Sequence, residues 1–139
     1  MDKKFISFGE YNYLVSKLAK KISESGRTYN KIYAIIRGGL PVATSLSHFL
    51  GIKKIITSDL LDYTSINELL DKNTLVVDDI TDSGDTLGRY EGYDTACLIC
   101  KEGAKEPVYY ARKEPHNVWI VFPWERRDEP QMRDADINY

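Results

Sequence analysis

An apolar run that ends in two adjacent carboxylates constrains the fold of this chain more than any other stretch. The run Leu75–Val77 leads directly into Asp78 and Asp79, and the polar loop 81–86 (TDSGDT) follows. A short apolar run rich in valine is typical of a strand that is buried on both faces, as in a parallel sheet. Such a sheet must be covered by helices. The stretch therefore predicts an α/β fold with a polar loop at the carboxyl end of one strand.

The rest of the chain alternates predicted helices with predicted strands. Ser7 and Glu10 form a capping box ahead of apolar residues at helical spacing that continue to Ile22. Further helices are predicted from Pro41 to about Leu50 and from Gly84 or Asp85 onward, and strands at Ile32–Ile36, Ile55–Ile56, Leu75–Asp79, Thr95–Cys100 and Val108–Tyr110. We therefore expect one domain, residues 1–139, with a central, mostly parallel sheet flanked by helices.

Polar residues follow three of the predicted strands at the point where each strand ends. Arg37 follows the first of them, Asp78 and Asp79 end the second, and Lys101 follows the third. Because the carboxyl ends of parallel strands meet at one edge of a sheet, ligands of α/β proteins collect there. These residues are therefore expected to share one site.

The loops at these strand ends carry groups that suit phosphate. The hydroxyls of Ser83 and Thr86 and the backbone N–H groups around Gly84 can surround phosphate oxygens. In 37–39 (RGG), paired glycines allow close approach of the backbone to a ligand, and arginine offers a fork that matches phosphate. The alternatives are a structural loop at 81–86 and a plain strand-to-helix turn at 37–39.

Together these segments resemble the type I phosphoribosyltransferases, whose substrate is phosphoribosyl pyrophosphate (PRPP). The segment 117–125 (NVWIVFPWE) is similar to the base-binding hood of the xanthine–guanine and hypoxanthine phosphoribosyltransferases of bacteria and archaea. The resemblance implies the type I phosphoribosyltransferase fold with a small hood at about 107–125 and a polar tail at 126–139. It also implies a cis peptide bond between Ile36 and Arg37.

The resemblance also implies a role for each residue of the site. It assigns catalysis to Asp82, Asp78 and Asp79, with Asp82 as the general base and Asp79 also as a Mg²⁺ ligand. The 5′-phosphate would bind Asp82, Ser83, Gly84, Asp85 and Thr86, the pyrophosphate Arg37, Gly38 and Gly39, and the purine Lys101, Trp119 and Ile120. Simpler interpretations stay open: Asp82 as a turn cap, Lys101 as a surface residue and Trp119 as part of the core.

The implied activity is transfer of the phosphoribosyl group from PRPP to a 6-oxopurine, with Mg²⁺ as cofactor. One alternative is a regulator of the same fold that senses PRPP and binds nucleic acid, and another is a phosphoribosyltransferase for a different nucleobase. In relatives a mobile loop closes over the reacting centre. Here that loop is expected within Ser58–Lys72, a short and acidic stretch in which a helical turn is expected around Ile66–Leu70.

Composition bears on partners and location. With 19 basic and 21 acidic residues, the net charge is −2, which argues against binding to nucleic acid or to an anionic membrane. The chain has no apolar run of bilayer length, and 1–4 (MDKK) does not lead into a signal peptide. We therefore expect a cytoplasmic protein, and the resemblance implies a homo-oligomer, either a dimer or a tetramer.

Cys97 and Cys100 fall in a predicted buried strand, where we expect free thiols.

Overall fold

The computed structural model describes residues 1–125, and the predicted polar tail 126–139 lies outside the described residues. Its strands are β1 (Asp2–Phe5), β2 (Lys31–Ala34), β3 (Ile55–Thr57), β4 (Thr74–Thr81), β5 (Asp94–Lys101), β6 (Tyr109–Glu114) and β7 (Val118–Val121). Its helices are α1 (Phe8–Glu24), α2 (Gly39–Leu50), α3 (Ile66–Leu69) and α4 (Asp85–Gly88), and short 3₁₀ turns lie at Ser58–Asp62 and Pro123–Glu125.

Five strands form the main sheet, in the order β3-β2-β4-β5-β6. Every pair of neighbouring strands in it is parallel. The predicted α/β fold is therefore confirmed. Strand β4, which carries the paired aspartates, lies in the middle of this sheet, so that its carboxyl end is flanked by strands on both sides.

Both faces of the main sheet are covered, as its apolar strands require. Along β4, Leu75 and Val77 pack in the cluster that includes α1 and α2, whereas Val76 packs on the other face with Tyr33 and Tyr90. The second face is covered largely by the segment 58–70, which supplies Leu61, Ile66, Leu69 and Leu70. The region predicted as an acidic loop thus contains a 3₁₀ turn and α3, and its apolar residues anchor it to the sheet.

Helix α1 begins as its sequence predicts, but only half of the capping box forms. The Ser7 hydroxyl accepts a hydrogen bond from the Glu10 amide at 3.0 Å. The Glu10 carboxylate pairs instead with Arg112 of β6, at 2.8 Å. The helix start is therefore tied to the edge strand of the main sheet.

A second, smaller sheet consists of β1 and β7, which pair in parallel. We call this pair the small sheet. The Ile6 amide extends it by donating to the Val121 carbonyl at 2.9 Å. Strand β1 was not predicted from the sequence, and its register places Lys4 beside Ile120. The range 107–125 predicted for the hood contains both β6, which belongs to the main sheet, and β7.

Two observations bear on the remaining expectations. No helix in the described part of the chain is long and apolar enough to cross a membrane. Cys97 and Cys100 are buried free thiols, as predicted. Burial raises the pKa of the Cys97 thiol, which keeps it protonated.

Candidate active site at the carboxyl end of the main sheet

Asp78 and Asp79 lie near the carboxyl end of β4 and are both buried. The Asp79 amide donates to Asp78 Oδ1 at 2.8 Å. Burial, the neighbouring carboxylate of Asp78 and the charge of Glu125 together raise the pKa of Asp79 to about 8. Burial likewise raises the pKa of Asp78. The pair is therefore poised to give up a proton when a cation or a hydrogen-bond donor binds beside it.

The donor set suits a magnesium ion held largely by a substrate. Within residues 1–125, no group of three or more His, Cys, Asp or Glu side chains is arranged to hold a metal. Mg²⁺ commonly binds through one or two carboxylates together with substrate phosphates and water. Asp79, with its raised pKa, fits that pattern, because a nearby divalent cation would favour its charged form.

The loop between β2 and α2 places Arg37 next to the aspartates. The Ile36–Arg37 peptide bond is cis, as the resemblance implied. The Ile36 amide donates to the Ser58 hydroxyl at 3.0 Å, and the Gly39 amide to the Ile35 carbonyl at 2.8 Å. Arg37 is exposed on a cavity that Asp79 also lines, so that its guanidinium can reach a phosphate in that cavity.

The paired glycines are required by contacts inside the protein. A Cβ atom on Gly38 would lie 2.2 Å from Asp79 Oδ2, and one on Gly39 would lie 2.4 Å from the Val77 carbonyl oxygen. The sequence suggested that these glycines allow approach to a ligand. The structure adds that they allow the loop to approach β4, which brings Arg37 and Asp79 to one cavity.

We expect Gly39→Ala to destabilise the protein by about 1–3 kcal/mol, because its Cβ would meet a backbone carbonyl in the central strand that cannot move aside. Urea denaturation would measure the loss. Gly88→Ala is the matched control, since a Cβ there meets nothing within 4 Å. Equal stability of the two variants would contradict this account of Gly39.

The predicted phosphate loop, 82–86, connects β4 to α4. Gly84 has a φ of 85°, a left-handed conformation that favours glycine, and it caps α4. The Asp85 amide donates to the Ser83 hydroxyl at 3.2 Å. Sequence reasoning missed Lys105, whose backbone nitrogen would lie 3.5 Å from a Cβ on Gly84. Only the fold brings that lysine beside the loop.

A pocket of about 240 Å³ joins residues that are far apart in the sequence. Its lining is Asp79, Ile80, Asp82, Lys101, Trp119, Ile120, Phe122 and Glu125. All three residues predicted to contact the purine are among them, together with the predicted general base. The volume lies below the range of about 300–1,000 Å³ typical of drug-sized ligands, which suits a compact bicyclic base.

The side chains that line this pocket differ in burial and in their contacts. Lys101 is only 2% exposed, and its ammonium donates to the Val118 carbonyl and, at 3.4 Å, to the His116 carbonyl. It is therefore a buried residue that contacts β7, rather than a surface lysine. Trp119 is 57% exposed and lies outside the core, which leaves its ring available for stacking. Trp124 packs against Phe122 with parallel rings 4.9 Å apart.

A larger cavity, of about 1010 Å³, adjoins the base pocket. It is lined by Arg37, Gly38, Asp79 and Glu125 and by residues of α1 and α2, including Phe8 and Leu40. Asp79 and Glu125 line both spaces, so the predicted pyrophosphate and purine sites are neighbours. Glu125 was not singled out as a site residue in the sequence, where only its place after Pro123 and Trp124 could have indicated it.

The solved structures that resemble this chain include phosphoribosyltransferases. A purine phosphoribosyltransferase from Pyrococcus horikoshii superposes with a TM-score of 0.72 at 28% identity, over 96% of this chain and all of that one. A hypothetical protein from Neisseria gonorrhoeae with bound ppGpp gives 0.71 at 26%, over 91% of each chain. The xanthine-guanine-hypoxanthine phosphoribosyltransferase of Helicobacter pylori gives 0.73 at 24%, over 88% of this chain and 93% of that one. No family model matches the sequence.

The fold and the strand-end site define a protein of the type I phosphoribosyltransferase fold. The neighbour from Pyrococcus horikoshii, at 28% identity, is a purine phosphoribosyltransferase, in agreement with the resemblance seen in the sequence. The predicted fold is thereby confirmed, and the roles of the individual site residues stay predictions.

Proposed function

We propose that this protein is a Mg²⁺-dependent purine phosphoribosyltransferase. It transfers the 5-phosphoribosyl group of PRPP to hypoxanthine, guanine or xanthine and releases a nucleoside 5′-monophosphate and pyrophosphate. We further propose that it works in the cytoplasm as a homo-oligomer. The observation that carries the proposal is the base pocket, where Lys101, Trp119 and Ile120 meet Asp82 next to the cavity that holds Arg37 and Asp79.

The residues of the site divide the reaction between them. Lys101 donates to the 6-oxo group of the base, and Trp119 stacks on its face, so that a 6-amino group is disfavoured. N9 of the base bonds to C1′ of the ribose as the C1′–O bond to pyrophosphate breaks, and the electron pair of that broken bond leaves with the pyrophosphate. Asp82, as the general base, accepts the proton that the base loses from N7. Asp78 and Asp79 bind the ribose hydroxyls and fix C1′ for attack.

Negative charge grows on the leaving pyrophosphate in the transition state. Arg37 and Gly38 line the larger cavity, and we propose that the Arg37 guanidinium and the backbone N–H groups there stabilise this charge. Magnesium, when bound at Asp79, supplies further charge stabilisation to the phosphate oxygens. The loop 82–86 anchors the 5′-phosphate at the start of α4 and thereby orients the sugar.

The proposal is tested by pyrophosphate release from PRPP and Mg²⁺, with hypoxanthine, guanine, xanthine, adenine and no base in parallel. We expect release with one or more 6-oxopurines and little with adenine or without base. Binding of PRPP without release in any arm would overturn the proposal in favour of a PRPP sensor. Release with adenine alone would favour an enzyme for another nucleobase.

Trp119→Ala should raise the KM for the base about 5–150-fold, because stacking on an aromatic ring contributes about 1–3 kcal/mol per base. The stability of the protein should change little, since the side chain is largely exposed. Phe49→Ala removes a similarly exposed aromatic ring, on α2, and serves as the control. A normal KM for the base in the Trp119 variant would remove this residue from the base site.

A second candidate function is the binding of ppGpp, because the neighbour from Neisseria gonorrhoeae has this nucleotide bound. A guanine base and two diphosphate groups need a stacking ring and cations, and Trp119, Lys101 and Arg37 offer both at adjoining spaces. Calorimetric titration with ppGpp, with GDP and GTP as controls, tests it. Tight binding of ppGpp by a protein that transfers nothing would favour this candidate over the enzyme.

A further inference from the structure

Glu114, the last residue of β6, is a buried carboxylate at the junction of the two sheets. It is 5% exposed, and its Oε1 lies 2.9 Å from Lys4 Nζ and 3.2 Å from Arg112 Nε. Arg112 lies on the same strand, whereas Lys4 belongs to β1 of the small sheet. Because a buried carboxylate is unfavourable unless it is paired, these two cations hold it in place. The ion pair with Lys4 thereby fixes the small sheet to the main sheet.

Each residue of the ion pair between Glu114 and Lys4 is the strand neighbour of a residue that lines the base pocket. Lys4 is in register with Ile120 across the small sheet. Glu114 is in register with Lys101 across the main sheet, and its carbonyl accepts a hydrogen bond from the Glu102 amide at 2.9 Å. A shift of either partner therefore changes the distance between Lys101 and the strand that carries Ile120.

We propose that Glu114 is a positioning residue for the base: acting through Lys4, it sets the place of β7, and so of Trp119 and Ile120, relative to Lys101. This inference rests on the proposed function of the pocket. It concerns contacts beyond those residues that touch the base, since neither Glu114 nor Lys4 lines the pocket.

The two substrates depend differently on this ion pair. The base pocket is built from two sheets, with Lys101 on β5 and Trp119 on β7. The groups proposed to bind PRPP, namely Asp78, Asp79 and the loops 37–39 and 82–86, belong to or follow strands of the main sheet alone. Loosening the small sheet therefore weakens binding of the base and leaves binding of PRPP intact.

The test compares steady-state constants of Glu114→Gln, Lys4→Met and the double variant. Each single variant is expected to raise the KM for the base about tenfold, with the KM for PRPP within about twofold of the wild type. The double variant should match the stronger single variant, because both changes remove one interaction. Lys4→Met leaves Glu114 paired with Arg112, which protects the fold. Glu106→Gln is the control, since it breaks the exposed ion pair of the neighbouring Lys113, at 3.0 Å.

Hydrogen exchange of the β7 amides gives a readout that needs no activity. It should quicken in Lys4→Met, while exchange in β4 and β5 stays unchanged. A parallel rise of both KM values, or a fall in kcat with both unchanged, would overturn the positioning role. If the wild type transfers to no base, the proposed function fails by itself. In that case unchanged exchange in β7 would also overturn the link between the sheets, and faster exchange would support it.

Discussion

Asp82→Asn should lower kcat about 10²–10⁴-fold while leaving the KM for PRPP within about twofold, because a general base contributes to that extent in the transition state. Asp82 lines the same pocket as Lys101 and Trp119, and we therefore expect its carboxylate to lie beside the ring of a bound purine. Asparagine keeps the size and the hydrogen-bonding capacity of the side chain but cannot take a proton. Single-turnover transfer to the preferred purine would separate this chemical step from product release.

The control for this variant is Glu24→Gln, which neutralises an exposed carboxylate at the end of α1, outside both cavities. Its kcat should equal that of the wild type. A variant Asp82→Asn with unchanged kcat would leave Asp82 as a cap of the turn, the simpler interpretation of its place in the sequence.

Asp79→Asn should lower kcat for transfer about 100-fold or more and yet make the metal-free protein more stable. The variant loses the carboxylate proposed to bind ribose and Mg²⁺. It also removes a buried carboxyl beside Asp78 and Glu125 that must take up a proton on folding, which should raise the free energy of unfolding by on the order of 1 kcal/mol or more at neutral pH. Urea denaturation in the presence of a chelator would measure this gain.

The gain should depend on pH in a defined direction. In the folded protein the pKa of Asp79 is raised to about 8, whereas an unfolded aspartate titrates near 4. Between these two pH values, the folded state holds a proton on Asp79 that the unfolded state has lost. The contribution of Asp79 to the free energy of unfolding therefore falls as pH rises from about 4 to about 8. The advantage of Asp79→Asn should grow over that window and level off above it. An advantage of equal size at pH 5, 7 and 9 would contradict this account.

Asp94→Asn is a useful contrast, because Asp94 lies at the amino end of β5 and accepts hydrogen bonds from Arg27 at 3.1 Å and from Tyr29 at 2.5 Å. Removing a charge that has such partners should destabilise the protein. A higher free energy of unfolding for Asp79→Asn and a lower one for Asp94→Asn would show that the carboxylate at the carboxyl end of the sheet is unfavourable, whereas the paired one at the amino end is stabilising.

Much of the site could be predicted because it depends on the ends of buried strands. The apolar run before Asp78 identified the central strand, and the strand-end rule then grouped Asp79 with Arg37 and Lys101, which the structure places around adjoining cavities. The role of the glycines was only partly predictable. Their tightest contacts are to Asp79 and to the Val77 carbonyl, and a sequence does not show which backbone will lie against which loop.

The small sheet could not be predicted because its signals are non-local. Strand β1 is a polar segment, DKKF, whose residues alternate in no clear pattern of burial. Its pairing with β7 depends on a segment near the other end of the described chain. The same holds for the ion pair of Glu114 with Lys4, which joins β6 to β1. The segment 58–70 was predicted only in part: the helical turn expected around Ile66–Leu70 is confirmed as α3, whereas the polar residues before it showed no clear period.

The pairing of the earliest strand with the latest one also sets the order in which the protein can mature on the ribosome. Every strand of the main sheet leaves the ribosome before Val118 does, whereas β1 emerges first and has no strand partner until β7 is made. Translation therefore yields the phosphate-binding loops before the wall that carries Trp119. Pairing of β1 with β7 also closes a loop that spans almost all of the described chain, and this closure costs conformational entropy. The proposed base pocket is thus completed after the proposed phosphate-binding loops.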